Sequence, residues 1–261
     1  MKNKLIVMGA AGRMGSMIAA LAEEEGFSLV AVADRAECLG SLTHWACLVG
    51  SEPEPMLAAH PQAVIIDFTA PEAALRTARL AARYGNPLVS GVTGLSAEQK
   101  RELERLAAQT PILWSPNMSL GVSVLSVILP RLARMLGPDY DLELVEIHHN
   151  KKKDAPSGTA LRLAESMAEG RGWKLDEVAC CRREGLTGER PSGQIGIQSV
   201  RGGDVAGVHT AYFIGQGERI EITHHAHSRE NFARGALHAA CWLIDMPSGK
   251  LYSLQDIFHD M

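Results

Sequence analysis

The sequence predicts an α/β protein in two parts: a doubly wound parallel sheet, then a second α+β domain with an open mixed sheet. Three observations predict it. Short apolar runs alternate with helix-period stretches from Lys4 to Trp114, a glycine turn joins the first run to the first helix, and beyond Leu120 strand-like segments follow one another.

Lys4 to Met8 is an apolar run of the kind buried in a parallel sheet, and G-A-A-G-R-M-G follows at once from Gly9 to Gly15. Met14, Met17, Ile18 and Leu21 then repeat at helical spacing until Gly26. Strand, glycine turn and helix form the context of a dinucleotide site, so the first part is Rossmann-like. There Gly9 allows the tight turn, Gly12 the approach of a pyrophosphate, and Gly15 close packing of helix on strand. A second strand, Leu29 to Ala33, ends in Asp34 and Arg35. An acid there accepts from ribose hydroxyls and an arginine pairs with a 2'-phosphate, so both NADH and NADPH are expected cofactors.

Further strands are expected at Ala63–Phe68, Asn86–Val92 and Ile112–Trp114, with helices at Glu72–Tyr84 and Ser96–Ala108. Ligands of such sheets lie beyond the strand C-termini. The candidate cofactor loops are therefore Phe68, Gly91-Val92-Thr93 and Ser115-Pro116-Asn117-Met118.

A helix to about Met135 leads to a half-buried strand, Leu142–Ile147, and then to E-I-H-H-N-K-K-K-D-A-P-S-G-T at Glu146–Thr159. Pro156 stops the ladder, and from Ala160 the apolar residues Leu163, Ala164 and Met167 mark a helix that begins near Ser157. The first N–H groups of a helix, here those of Gly158 and Thr159, lie outside its own hydrogen-bond ladder and make an anion site, with Lys151, Lys152 and Lys153 just ahead. Two histidines beside it can supply a proton near neutral pH. Together they suit a small carboxylate undergoing acid-assisted chemistry. On a regular strand His148 and His149 point to opposite faces, so both reach one pocket only if the strand ends there.

Four more strand-like segments follow, Val178–Arg182, Ile195–Arg201, His209–Gln216 and Arg219–His225, and then an apolar helix, Asn231–Leu243, that can return to the first domain. The expected division is residues 1–118 with 230–261 as the dinucleotide-binding domain and 119–229 as the substrate-binding and oligomerisation domain. An open sheet exposes an edge or face, and pairing it with a copy of itself predicts a homo-oligomer.

The 261 residues, 46% hydrophobic and 21% charged with net charge -4, are enough for two cores and argue against nucleic acid or an anionic membrane as partner. No charged-then-apolar leader precedes the first strand, and the expected compartment is the cytoplasm. The five cysteines, with no C-x-x-C spacing, read as reduced, mostly buried thiols. His148, His149, His224, His225 and His227 lack the spacing of a zinc set, so no metal is expected.

G-A-A-G-R-M-G, D-F-T-x-P-E, G-V-T-G, H-H-x-x-K-x-D-A-P-S-G-T, R-G-G-D-V-x-G-x-H-T and S-R-x-x-F-A-R-G-A occur here in one order. By these motifs the whole chain resembles the dihydrodipicolinate reductase family. The resemblance implies NAD(P)H-dependent reduction of 4-hydroxy-tetrahydrodipicolinate, by way of dihydrodipicolinate, to tetrahydrodipicolinate in diaminopimelate and lysine biosynthesis. It implies His148 as proton donor and acceptor, Lys152 as second proton donor and carboxylate partner, and His149, Ser157, Gly158 and Thr159 as substrate ligands. The cofactor residues it implies are Gly9, Ala10, Ala11, Gly12, Arg13, Met14, Asp34, Arg35, Gly91, Val92, Thr93, Ser115, Pro116, Asn117 and Met118, to which the strand-end reading adds Phe68. It also implies a cytoplasmic homotetramer built through the second domain. Two positions depart from the family pattern: Lys151 where a third histidine can occur, and Met118 where phenylalanine is common, on the nicotinamide side.

Two other readings use the same fold. Another two-domain NAD(P)-dependent dehydrogenase, such as an amino-acid dehydrogenase, would not need the run from His148 to Thr159. A non-catalytic NAD(P)-binding sensor would be expected to lose the histidine and lysine proton donors.

Overall fold

The computed structural model describes residues 2–258. The chain divides into two compact units, one running to Leu120 and resuming at Glu230, the other Gly121–Arg229.

In the first unit β1 (Asn3–Met8) turns through the glycine loop into α1 (Arg13–Leu21), and β2 (Phe27–Ala33) follows. The chain continues through β3 (Leu48–Gly50), α2 (Pro53–Ala59), β4 (Val64–Asp67), α3 (Pro71–Tyr84), β5 (Leu88–Ser90), α4 (Ala97–Ala107) and β6 (Ile112–Trp114). The capping box at Ser96 and Gln99 starts α4, and left-handed Gly85 ends α3.

All of α5 (Leu120–Leu136) but its first residue belongs to the second unit, which continues with β7 (Asp141–His148) and α6 (Gly158–Arg171). A single turn, α7 (Leu175–Val178), precedes β8 (Ala179–Cys180), β9 (Ile195–Arg201), β10 (Gly207–Ile214) and β11 (Arg219–Ala226). The strand expected at Val178–Arg182 is thus cut to two residues, because Asp176 and Glu177 favour a first helical turn and Lys174 pairs with Glu177 across it. Finally α8 (Glu230–Leu243) and β12 (Leu251–Tyr252) return to the first unit.

The first unit's sheet has the order β12-β6-β5-β4-β1-β2-β3, with every pairing parallel. The order reverses between β1 and β4, the point where a doubly wound sheet opens its ligand crevice. Two apolar layers cover it: α1 and α8 on one face with Ile18, Ala236 and Leu237, and α3 and α4 on the other with Leu75, Ala78 and Leu103. Burial on both faces explains why these strands read as continuous apolar runs rather than alternations.

The second unit's sheet has the order β11-β10-β7-β9-β8 and is mixed: β10 is antiparallel to β7 and β11, while β7, β9 and β8 are parallel. Its inner face packs on α5 and α6 through Leu142, Leu144, Ile195, Ile197 and Phe213 against Leu129, Leu163 and Met167. By length and composition alone Leu120–Asp139 is long and apolar enough to cross a membrane. Arg131 and Arg134 interrupt it, and Val122, Leu125, Leu129 and Ala133 are buried in this core, as in a core helix. All five cysteines are free, and none is buried: Cys181 and Cys241 are exposed and the others half-buried, which corrects the expectation of buried thiols.

Candidate active site

The glycine turn of the first unit is built by close approach. A Cβ at Gly15 would lie 2.1 Å from the Gly9 carbonyl oxygen, so only glycine lets α1 start where it does. Among the described residues no side chain caps α1, whose N-cap is Gly12. Its first N–H groups, on Arg13 and Met14, therefore remain for an anion. Asp34 holds the turn from the end of β2: its carboxylate accepts from Ala11 N and Arg35 N, both at 2.8 Å.

This turn forms one wall of a cleft of about 600 Å³ whose lining includes Gly9, Ala11, Gly12, Asp34, Arg35 and Phe68. Arg35 is largely exposed there and pairs with Glu37 at 3.0 Å. Glycine walls, an uncapped helix start, an acid and a solvent-exposed arginine fit an adenine dinucleotide. Arg76 of α3 lines the same cleft, and no glycine or strand-end signal in the sequence marks it.

The other predicted cofactor residues serve a second purpose. Ala10 and Met118 are buried in the core under α8, and Val92 in the opposite layer, so these three offer only their backbone to a ligand. Phe68 packs its ring on Gly91, where a Cβ would lie 2.3 Å from ring carbons. Beside Phe68, fully buried Asp67 accepts from Thr69 N at 2.8 Å and Thr69 Oγ1 at 2.6 Å, which fixes the loop after β4. Burial raises this carboxyl's pKa, and its bonds to Thr69 and Thr77 offset only part of that. Ser115 and Asn117 bond each other through Ser115 Oγ and the Asn117 carbonyl, which shapes the turn after β6; Thr93 and Pro116 lie in the same two loops.

The second unit carries a polar site on the face of its sheet that also builds its core. Across the strands, two rows are apolar: Ile195–Leu142–Phe213 and Ile197–Leu144–Ala211–Ile222. The next row is Ser199–Glu146–His209–His224, and beyond it Arg201 pairs with His148. Every second residue of β7 points inward, so Leu142, Leu144, Glu146 and His148 are all buried although the last two are polar.

Glu146 is the centre of this site. Arg201 Nη1 and Nη2 donate to its two oxygens at 2.7 Å each, Ser157 N donates at 3.2 Å, and His148 Nδ1 lies 2.5 Å from Oε2. Burial alone would raise this carboxyl, but the hydrogen bonds from Arg201, His148 and Ser199 bring it down to about 2. His209, buried beside it, is pushed down to about 4 by burial and by neighbouring His148 and His224. Its ring meets that of His148 edge-on at 5.1 Å, and its Nε2 lies 3.2 Å from Ser157 Oγ.

β7 ends at His148, which meets the condition for both histidines to serve one pocket. The chain then turns: His149 N donates to Val205 O and Gly202 N to His148 O, so the R-G-G-D-V loop ties down the strand end. His149 Nδ1 is buried with no partner among the described residues. Lys152 pairs with Asp154 at 3.0 Å. Ser157 caps α6 by accepting from Ala160 N, and its own N–H is taken by Glu146. Ser157 is buried and its hydroxyl already meets Ala160 N and His209 Nε2, while exposed Gly158 and half-buried Thr159 stand at the helix start.

A parallel sheet of this order, with a glycine turn facing an acid at the end of β2, defines a dinucleotide-dependent α/β protein with an appended mixed-sheet unit. The family model "Dihydrodipicolinate reductase, N-terminus" matches residues 3–118, and "Dihydrodipicolinate reductase, C-terminus" matches 121–258. The 4-hydroxy-tetrahydrodipicolinate reductase of Nitratidesulfovibrio vulgaris strain DP4 is 57% identical over 259 residues, spanning 99% of this chain and 100% of that protein. The enzyme of the same name from Lawsonia intracellularis is 54% identical over 257 residues, spanning 98% and 100%. The chain belongs to the dihydrodipicolinate reductase family. Its fold matches that of a dipicolinate-bound dihydrodipicolinate reductase from Paenisporosarcina sp. TG-14 with a TM-score of 0.79 at 23% identity, over 98% of this chain and 100% of that one.

Proposed function

We propose that the chain reduces 4-hydroxy-tetrahydrodipicolinate, by way of dihydrodipicolinate, to tetrahydrodipicolinate, with NADH or NADPH, in diaminopimelate and lysine biosynthesis. The observation that carries this reading is the convergence, at the end of β7, of a buried imidazole, a lysine and a helix N-terminus. The names of the 54–57% identical relatives support the substrate.

Bound NADH or NADPH supplies the hydride. Gly9, Ala11, Gly12 and the first N–H groups of α1 hold its pyrophosphate, and Asp34 and Arg35 meet its ribose. Ala10, Val92 and Met118 contribute backbone, and Phe68, Gly91, Thr93, Ser115, Pro116 and Asn117 complete the loops beyond β4, β5 and β6. In the second unit the Gly158 and Thr159 N–H groups take one substrate carboxylate, with Lys152 as its cationic partner and second proton donor. Lys152 must give up Asp154 to do so, a pair whose carboxylate stands in solvent and that costs about 1 kcal/mol to exchange. His149 binds substrate with its unpartnered Nδ1. His148 delivers the proton that balances the hydride.

The outer face of the second sheet carries Val200 and Ile214, both exposed, beside half-buried Val145, Ile147 and Val208. Such a face supports assembly with further copies of the chain, and a homotetramer in the cytoplasm is the form proposed.

The test is spectrophotometric: oxidation of NADH and of NADPH with freshly generated substrate, in the wild type and in His148→Gln and Lys152→Ala. Both variants are expected to lower kcat at least 100-fold and to leave NADH binding within about threefold, because their contacts are made mainly in the transition state. No oxidation by the wild type with either cofactor would sink the reading.

A further inference from the structure

We propose that Glu146 is a positioning residue for the reduction: it fixes the ring orientation and tautomer of His148, and Arg201 holds it in place to do so. The inference rests on the role of His148 given above.

Glu146 has no freedom of its own. Its Oε1 receives Arg201 Nη2 at 2.7 Å and Ser157 N at 3.2 Å, and its Oε2 receives Arg201 Nη1 at 2.7 Å. These donors come from β9 and from the start of α6, while Glu146 itself sits on β7. What remains of Oε2 faces His148 Nδ1 at 2.5 Å. A carboxylate with Arg201 on it stays ionised and can only accept, so His148 Nδ1 must carry a proton. The reactive nitrogen is then Nε2.

The surroundings of Nε2 fit that assignment. Gly207 precedes Val208, the β10 residue at the end of the ladder with β7, and a Cβ on it would lie 3.1 Å from Nε2. Glycine keeps that side of the ring clear. Glu146 also ties the ring to the anion site, because the same carboxylate accepts from Ser157, the N-cap of α6. Proton donor and carboxylate-binding N–H groups are thus held in one frame.

The step balances as follows. The Nε2–H bond of the imidazolium breaks and its electron pair stays on nitrogen. A new bond to hydrogen forms on the substrate atom at the far end of the double bond that accepts the hydride. The ring is left neutral with its proton on Nδ1, still bonded to Glu146, and no rotation is needed before solvent restores Nε2–H.

The experiment is ¹⁵N NMR of histidine-labelled protein at about pH 9, above the ordinary imidazole range, with His148→Gln used to assign the resonance. The wild type is expected to show the Nδ1–H tautomer. In Glu146→Gln, Ser157 N–H and Arg201 Nη2 claim the amide oxygen and turn the NH₂ toward His148, so Nε2–H becomes the main form. With it kcat should fall at least about 100-fold, as for a mis-set tautomer elsewhere, with KM and the NADH dissociation constant within about threefold. Glu146→Asp should recover at least about tenfold of that kcat. A wild-type Nε2–H tautomer, or wild-type tautomer and kcat in Glu146→Gln, overturns the proposal. Should Glu146→Gln fail to fold, the wild-type tautomer decides alone. Absence of NADH and NADPH oxidation by the wild type would instead remove the reaction and leave the tautomer result standing.

Discussion

Arg201 grips Glu146 with both guanidinium nitrogens at 2.7 Å, joining adjacent strands across 55 residues of sequence. The carboxylate is completely buried while the guanidinium keeps an edge in solvent. Removing the arginine strands a buried charge, which costs about 3–5 kcal/mol. Arg201→Ala is therefore expected to lower the free energy of unfolding in urea by that amount at neutral pH, and Arg201→Lys by less. Wild-type stability in Arg201→Ala would contradict the pairing.

Stability should fall with acid in two stages. His209 sits at about 4 in the fold, below the ordinary 6.5, so between those values the unfolded chain binds a proton that the folded chain does not. Unfolding is therefore favoured as pH drops from 6.5 to 4, by up to about 3 kcal/mol from this group. Glu146, at about 2 against an ordinary 4.5, adds a further loss as pH falls through 4.5 toward 2. Urea midpoints followed with pH should show both, and His209→Gln should flatten the first stage only. An unchanged slope in His209→Gln would refute its buried neutral state.

Arg35→Ala should weaken NADPH by about 10- to 100-fold, the value of one charge-assisted hydrogen bond, while NADH changes by no more than about twofold. Binding titrations with the two cofactors check this. Equal losses for both would show that Arg35 does not meet the 2'-phosphate.

Gly15→Ala forces a methyl group to 2.1 Å from the Gly9 carbonyl, which is backbone and cannot swing aside. Overpacking of this kind costs about 1–3 kcal/mol, so the melting temperature of the cofactor-free protein should fall. A variant that melts with the wild type would mean that α1 can shift without cost.

The sequence makes plain whatever the chain decides locally. The Gly9–Gly15 turn, Asp34 at a strand end and the cap at Ser157 each follow from a few neighbouring residues, and each stands where the local pattern places it. Glu146 was legible as one of the carboxylates on a half-buried strand, but its burial was not. That depends on parity with Leu142 and Leu144 and on partners supplied by β9 and β10, far along the chain. β3 and β12, three and two residues long, are too short to carry any period. Ser157 reads as a ligand by its motif because hydroxyl and helix start look alike on paper, whereas packing gives its hydroxyl to Ala160 and His209.

The polar rows of the second sheet lie on the same strands and the same face as the apolar rows. A slip of β10 by two residues would keep its inward face inward, yet would set Ala211 or Gly207 beside Glu146 in place of His209. Such a misfolded chain would retain its helices and sheet and look native by circular dichroism. Its chemistry would be gone, so turnover reports the alignment of β7, β9 and β10 more strictly than any measure of secondary structure.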